Sequence, residues 1–291
     1  MFKQLPLLAP AVLSLVFTAP LLMGDMVIYD NLTPNNQMAV ATRPATGGQF
    51  EIEAGDDFIL ASQTSISSAT FVGLLVPTAG ATPTITDIVA EMYRVFPLDS
   101  DTNRIPNVPT RMNSPSDVAF DSRDSASGQV TFSSSILSST FTALNSVQPG
   151  GIHPSPGQTT GGNGQLTGIE VQINLTFTSP FDLSADHFFF VPQVALNDGQ
   201  FYWLSASRPI SGPGTTPINP DLQSWTRDQM LDPDWLRVGQ DIVGGTPFPT
   251  FNQAFSLEGN VVPEPGTGAL LAAGLALVGF ARKLRAHGRN H

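Results

Sequence analysis

Between Ile169 and Phe177 the chain reads Ile-Glu-Val-Gln-Ile-Asn-Leu-Thr-Phe, with an apolar residue at every odd position and a polar one at every even position. Successive side chains of a strand point to opposite faces, so this period describes a strand with one dry and one wet face. A helix cannot satisfy the same pattern. Similar but less regular segments run from Asp57 to Ala61, Ala69 to Val76, Val89 to Phe96, Gln129 to Phe132, His187 to Leu196, Phe201 to Ser205 and Ala254 to Glu258. With 25 prolines and 26 glycines punctuating the chain, long helices have little room. The expectation is an all-β, two-sheet antiparallel sandwich of jelly-roll type, a single domain over residues 25–261. Asn197-Asp198-Gly199 lies between two of these strands and predicts a hairpin. Gln148 to Gly168, rich in glycine and proline, predicts a long surface loop.

Charge narrows the partners. From Asp25 to Val262 the chain carries 23 carboxylates against 8 arginines and no lysine, a net charge of about −15. Phosphate backbones repel such a body, so no nucleic-acid partner is expected. The chain has 0 cysteines, which removes disulfides, thiolate metal sites and cysteine nucleophiles. A hydrophobic core must then hold the fold, and an apolar content of 41% over 291 residues supplies one.

The two ends differ from the body. Residues 1–24 place one early base, Lys3, before an apolar stretch from Leu5 to Met23 and the small residue Gly24, which reads as a secretory signal peptide maturing near Asp25. Pro6, Pro10 and Pro20 argue against a stable spanning helix. At the other end, residues 262–291, both prolines of Pro263-Glu264-Pro265 fix φ and disfavour helix in the preceding residue, so the tripeptide is expected to be extended and exposed. Gly268 to Ala281 is uncharged and rich in alanine and leucine, and Arg282, Lys283 and Arg285 follow it. An apolar helix with cations behind it obeys the positive-inside rule and is expected to insert in a membrane in that orientation.

Val262-Pro263-Glu264-Pro265, the apolar run and Arg282-Lys283-Leu284-Arg285, in that order, resemble the PEP-CTERM sorting signal of Gram-negative bacteria. The resemblance implies export by the secretion machinery, transient residence in the inner membrane, and processing by a membrane-embedded exosortase that recognises the tripeptide. It further implies display at the cell surface or release in bacteria that make exopolysaccharide. The body itself is similar to the broad group of exported bacterial sandwich domains that precede interchangeable C-terminal anchors. That similarity rests on Asp56-Asp57-Phe58, the later aromatics and Ala254-Phe255-Ser256-Leu257-Glu258-Gly259.

Three constellations in the body carry candidate chemistry. Asp99, Asp101 and Asn103 have the alternate spacing that aims oxygens at a calcium ion, with Asp117, Asp121 and Asp124 near enough in sequence to complete a site. Arg104 and Thr110 stand where an EF-hand needs glycine and glutamate, so the competing reading is a solvated loop whose Asp and Asn serve turn geometry. Trp203, Trp225 and Trp235, with Tyr202 and Tyr93, are candidate stacking surfaces for sugar rings of a matrix polysaccharide, against the alternative that they pack the core. Strand alternation puts Tyr202 and Trp203 on opposite faces, so at most one of them is expected in the core. Asp232 and Asp234 are a candidate acid pair for an extracellular hydrolase, but Pro233 between them favours a turn. His153 falls in the glycine- and proline-rich loop and His187 begins a strand, and no nucleophile elbow, zinc motif or phosphate loop is present. The expected body is therefore non-enzymatic and without a cofactor beyond the calcium candidate.

Overall fold

The computed structural model describes residues 24–104, 111–148, 151–152, 158–207 and 222–262, together with Gly274. Fifteen strands are found among them: β1 (Met26–Asp30), β2 (Pro34–Ala41), β3 (Ile52–Ile59), β4 (Thr64–Val76), β5 (Ile85–Arg94), β6 (Asp121–Asp124), β7 (Val130–Ala143), β8 (Ser146–Val147), β9 (Leu166–Leu183), β10 (His187–Leu196), β11 (Gln200–Ala206), β12 (Trp225–Asp228), β13 (Leu236–Arg237), β14 (Asn252–Gln253) and β15 (Phe255–Val261). A single π-helical turn, Val238–Val243, follows β13. The strands form two sheets. One, of nine strands, curls into a half-barrel along β1-β15-β4-β11-β2-β8, with β9 and then β7 extending from β4 and β14 pairing β11. The other, of six strands, is open and antiparallel in the order β13-β12-β3-β10-β5-β6. Pairing is antiparallel throughout except for the two-residue β2–β8 ladder, which is parallel.

The core between the sheets is aromatic. Phe71 meets Phe190, Phe201 and Trp203 edge-on, and Phe255 lies 5.6 Å from Trp203 and stacks on Tyr29 at 4.4 Å. Trp203 satisfies its indole N–H by donating to the Ala254 carbonyl at 2.9 Å, which removes the penalty of burying it. Gly73 is required here, because a Cβ at that position would stand 2.2 Å from the Phe201 ring. The alternating segment Ile169–Phe177 lies within β9 and pairs with β4 along its inward row, Ile173 opposite Phe71 and Leu175 opposite Ala69.

Four expectations are corrected. Asn197-Asp198-Gly199 does not close a hairpin: β10 pairs with β3 and β5 while β11 pairs with β2 and β4, so the turn is an arch that carries the chain from one sheet to the other. The arch is held by its own side chains. Asn197 accepts from the Thr84 N–H at 2.7 Å and Asp198 from the Thr78 and Ala79 N–H groups at 3.1 and 3.0 Å. Gly199 has φ of 83°, and a Cβ there would lie 2.1 Å from the Val76 carbonyl oxygen. Tyr202 and Trp203 are both buried, on opposite faces of the same sheet: Trp203 in the core between the sheets, and Tyr202 in a second apolar cluster with Ala39, Ala41, Val72 and Leu74. The expected strand from Gln129 to Phe132 continues to Ala143, and the loop after Gln148 gives way to β9 at Leu166.

The two ends of the body leave side by side. Met26 of β1 stands opposite Gly259 of β15, and the Asp25 carboxylate accepts from the side chains of Ser67 and Asn260. The Val262 N–H donates to the Gln63 carbonyl at 2.9 Å. No helix among the described residues is long and apolar enough to cross a membrane. The expected signal peptide, the tripeptide Pro263-Glu264-Pro265, the expected helix over 268–281 apart from Gly274, and Arg282, Lys283 and Arg285 lie outside the described residues.

Candidate functional site

A buried polar layer occupies the outer face of the six-stranded sheet. Register puts Arg227 of β12 directly opposite Glu53 of β3, and Phe189 of β10 opposite both Asp57 of β3 and Tyr93 of β5. Side chains two residues apart share a face, so Glu51, Glu53, Gln193, Glu91, Tyr93 and Arg227 converge there. Arg227 engages both Glu53 oxygens, one of them through Nη2 at 3.1 Å, and Nη2 also donates to the Tyr93 hydroxyl at 2.9 Å. Tyr93 in turn donates to Glu53 at 2.6 Å. The guanidinium reaches the Asp117 and Pro233 carbonyls at 3.1 and 3.2 Å and the Asp232 carboxylate at 2.9 Å, and it lies 4.4 Å from the Trp235 ring centre. The Nε, Nη1 and Nη2 groups of the arginine thus each have partners, and one ring lies against its plane.

Beside this pair the carboxyl groups of Glu51 and Glu91 are bridged by the Gln193 amide, whose Nε2 donates to them at 3.0 and 3.2 Å. Burial, followed by the nearby Glu53 and Glu51 charges, pushes the Glu91 carboxyl up to about 8. Burial and Glu53 raise Glu51 as well. Burial raises the Tyr93 phenol, aided by Glu53, so it stays a donor at all ordinary pH. For Arg227 burial opposes the charge, but Glu53 and Tyr93 more than offset it and hold the guanidinium above its usual range. Chemically the layer ties β12 and the segment carrying Trp235 onto the sheet, with Glu91 neutral near pH 7. The sequence reading missed it because it began the strand at Asp57. Glu51-Ile52-Glu53, two acids sharing one strand face, is the signal that was present.

The residues expected from sequence are placed elsewhere. Both oxygens of Asp99 are held by Arg94, through Nε at 2.6 Å and Nη2 at 2.5 Å. Asp101 accepts from the Asn103 N–H at 2.9 Å and its own N–H donates to Asp117 at 2.9 Å. Asp117 pairs with Arg111 and, at 3.4 Å, with Arg104. Burial would raise the Asp117 carboxyl, but Arg111, the Asp101 N–H and Arg104 together outweigh it and hold the group below its usual range. Asp121 pairs with Arg123, and Asp124 caps the Ala126 N–H. Among the described residues no three His, Asp or Glu groups converge as metal ligands.

Trp203, Trp225 and Trp235 are 0%, 1% and 2% exposed, so they do not present a platform to a sugar ring. Trp203 belongs to the core between the sheets, while Trp225 and Trp235 pack with Phe189, Val191, Tyr93 and Leu222 on the outer face, with Val95 and Ala119 against them and the Trp235 N–H donating to the Ser116 carbonyl. Asp232 and Asp234 diverge from a turn, Asp232 to Arg227 and Asp234 to Arg104 at 2.6 Å. His187 lies 2.6 Å from the buried Asp57, a partner the sequence reading did not supply, and His153 lies outside the described residues. A polar cavity of about 300 Å³ opens at the arch between Thr46, Gln49, Thr78, Thr86 and Asp198, whose carboxylate is already engaged by backbone N–H groups.

What remains is the place where the last strand hands over to the tail. β15 is paired to β1 from Ser256 to Gly259 and to β4 all the way to Val261, and the next residue still donates to Gln63. The fold thus defines a two-sheet β body whose C-terminal segment starts directly from the sheet. Residues 261–286 match the PEP-CTERM protein-sorting motif, so the chain carries a signal consistent with exosortase-mediated sorting of an exported protein. Neither a curated protein nor a solved structure matches the chain.

Proposed function

We propose that this chain is an exported structural protein whose non-enzymatic, jelly-roll-like body is delivered through the inner membrane of a Gram-negative cell and left at the surface or in the exopolysaccharide matrix. The observation that carries the reading is the PEP-CTERM motif over 261–286, which begins on the final residue of β15. In this reading residues 1–24 direct secretion and are removed. Pro263, Glu264 and Pro265 are read by the exosortase, residues 268–281 hold the chain in the bilayer, and Arg282, Lys283 and Arg285 fix its orientation. A structural role for the body is supported by its buried polar layer, in which Glu53 and Arg227 saturate each other in place of facing a substrate.

Intact-mass measurement of the envelope and secreted forms tests this. Secreted material is expected to start near Asp25 and to lack the segment beyond the tripeptide. Pro263→Ala with Pro265→Ala is expected to accumulate uncut protein in the membrane fraction. Secreted protein that retains all residues to His291 would refute the assignment.

A further inference from the structure

Strand β7 is anomalous. Within the nine-stranded sheet it pairs only with β9, and no strand among the described residues pairs with its other edge. From Thr131 to Leu137 every residue is exposed, on both faces of the strand. Phe132 and Ile136 stand opposite Leu175 and Val171, so they continue the apolar inner row of the sandwich past the point where the six-stranded sheet covers it. Phe132 is 37%, Ile136 59% and Leu137 50% exposed. Edge strands are ordinarily blunted by lysine, proline or inward charge, and β7 has none of these: VTFSSSILSSTFTA is neutral throughout. The regular part of its pairing, Val130 to Ile136, precedes the two bulges and offers a straight ladder of free N–H and C=O groups.

We infer that this edge is an interaction surface for a second copy of the same chain, pairing antiparallel through β7 about a two-fold axis at Ser134. Two features select that occupant. Phe132 and Ile136 are equidistant from Ser134 on one face, so with Ser134 opposite its own copy each Phe132 meets the other copy's Ile136 and the exposed apolar row is closed from both sides. The body also carries a net charge of about −15, which repels a second copy overall, and β7 adds no charge of its own to the contact. A seven-residue ladder is about 23 Å long, less contact than a standard stable interface provides. Pairing is therefore reversible between free copies and favoured where copies are concentrated on one surface.

The chain has no cysteine, so a single introduced thiol reports one contact. In the full chain purified in detergent, Ser134→Cys is expected to give a disulfide-linked dimer on mild oxidation. Thr140→Cys is equally exposed but lies about 40 Å from its copy in this register, and is expected to give none. Sedimentation of the unmodified chain is expected to show concentration-dependent dimers that Ile136→Lys weakens at least tenfold, with the melting temperature unchanged because Ile136 packs against little. Monomers at all concentrations, equal cross-linking at both positions, or dimers that survive Ile136→Lys would each overturn the inference.

Discussion

Arg227 shows how little of a buried interaction is written in its local sequence. Its partner Glu53 is 174 residues away, and only the β12–β3 register makes them neighbours. Removing one partner of a buried ion pair leaves the other charged without solvent, a loss of about 3–5 kcal/mol. Arg227→Met is therefore expected to lower the urea midpoint sharply, and Glu53→Gln in the same chain to restore part of the loss. Glu91 gives a pH signature. Its folded pKa of about 8 lies above its ordinary 4.5, so the folded state holds this proton more tightly than the unfolded chain does. The resulting stabilisation is full below about 4.5, declines as pH rises and is gone above about 8. Melting temperature is expected to fall between about pH 4.5 and 8 and to fall less steeply in Glu91→Gln. The tryptophans were legible as large apolar groups, but whether a strand face is dry or wet depends on what covers it. No local pattern reveals the segments over Trp225 and Trp235.

At the scale of elements, β10 and β11 emerged from sequence close to their actual limits because both are bounded by turn residues and dense in aromatics. Their pairing did not. A tight polar turn with a glycine at positive φ serves an arch as well as a hairpin, and here its side chains cap Thr78, Ala79 and Thr84 in the loop between β4 and β5. β7 was mostly missed because alternation presupposes one covered face, and an overhanging strand has none. β15 is legible as a strand, but its position between β1 and β4 is not. Truncation after Val262 is expected to leave the melting temperature of the body unchanged, whereas truncation after Ala254 removes a doubly paired strand and is expected to abolish cooperative unfolding. Thermal scans followed by near-ultraviolet circular dichroism distinguish the two.

For the molecule as a whole, the sorting motif over residues 261–286 was legible, because a Pro-Glu-Pro tripeptide, an apolar run and a cationic end are local sequence features that need no partner. The two-sheet architecture followed from period and punctuation, while the half-barrel curl did not, since curvature is set by pairing between distant strands. Because β15 is held by β4 as far as Val261 and by β1 from Ser256 to Gly259, tension applied along the strand from its C-terminal end falls across its hydrogen bonds. Those bonds are loaded in shear and must yield together. A cell that tugs on this body by its C-terminal end pulls on the sheet in the direction in which it gives way last.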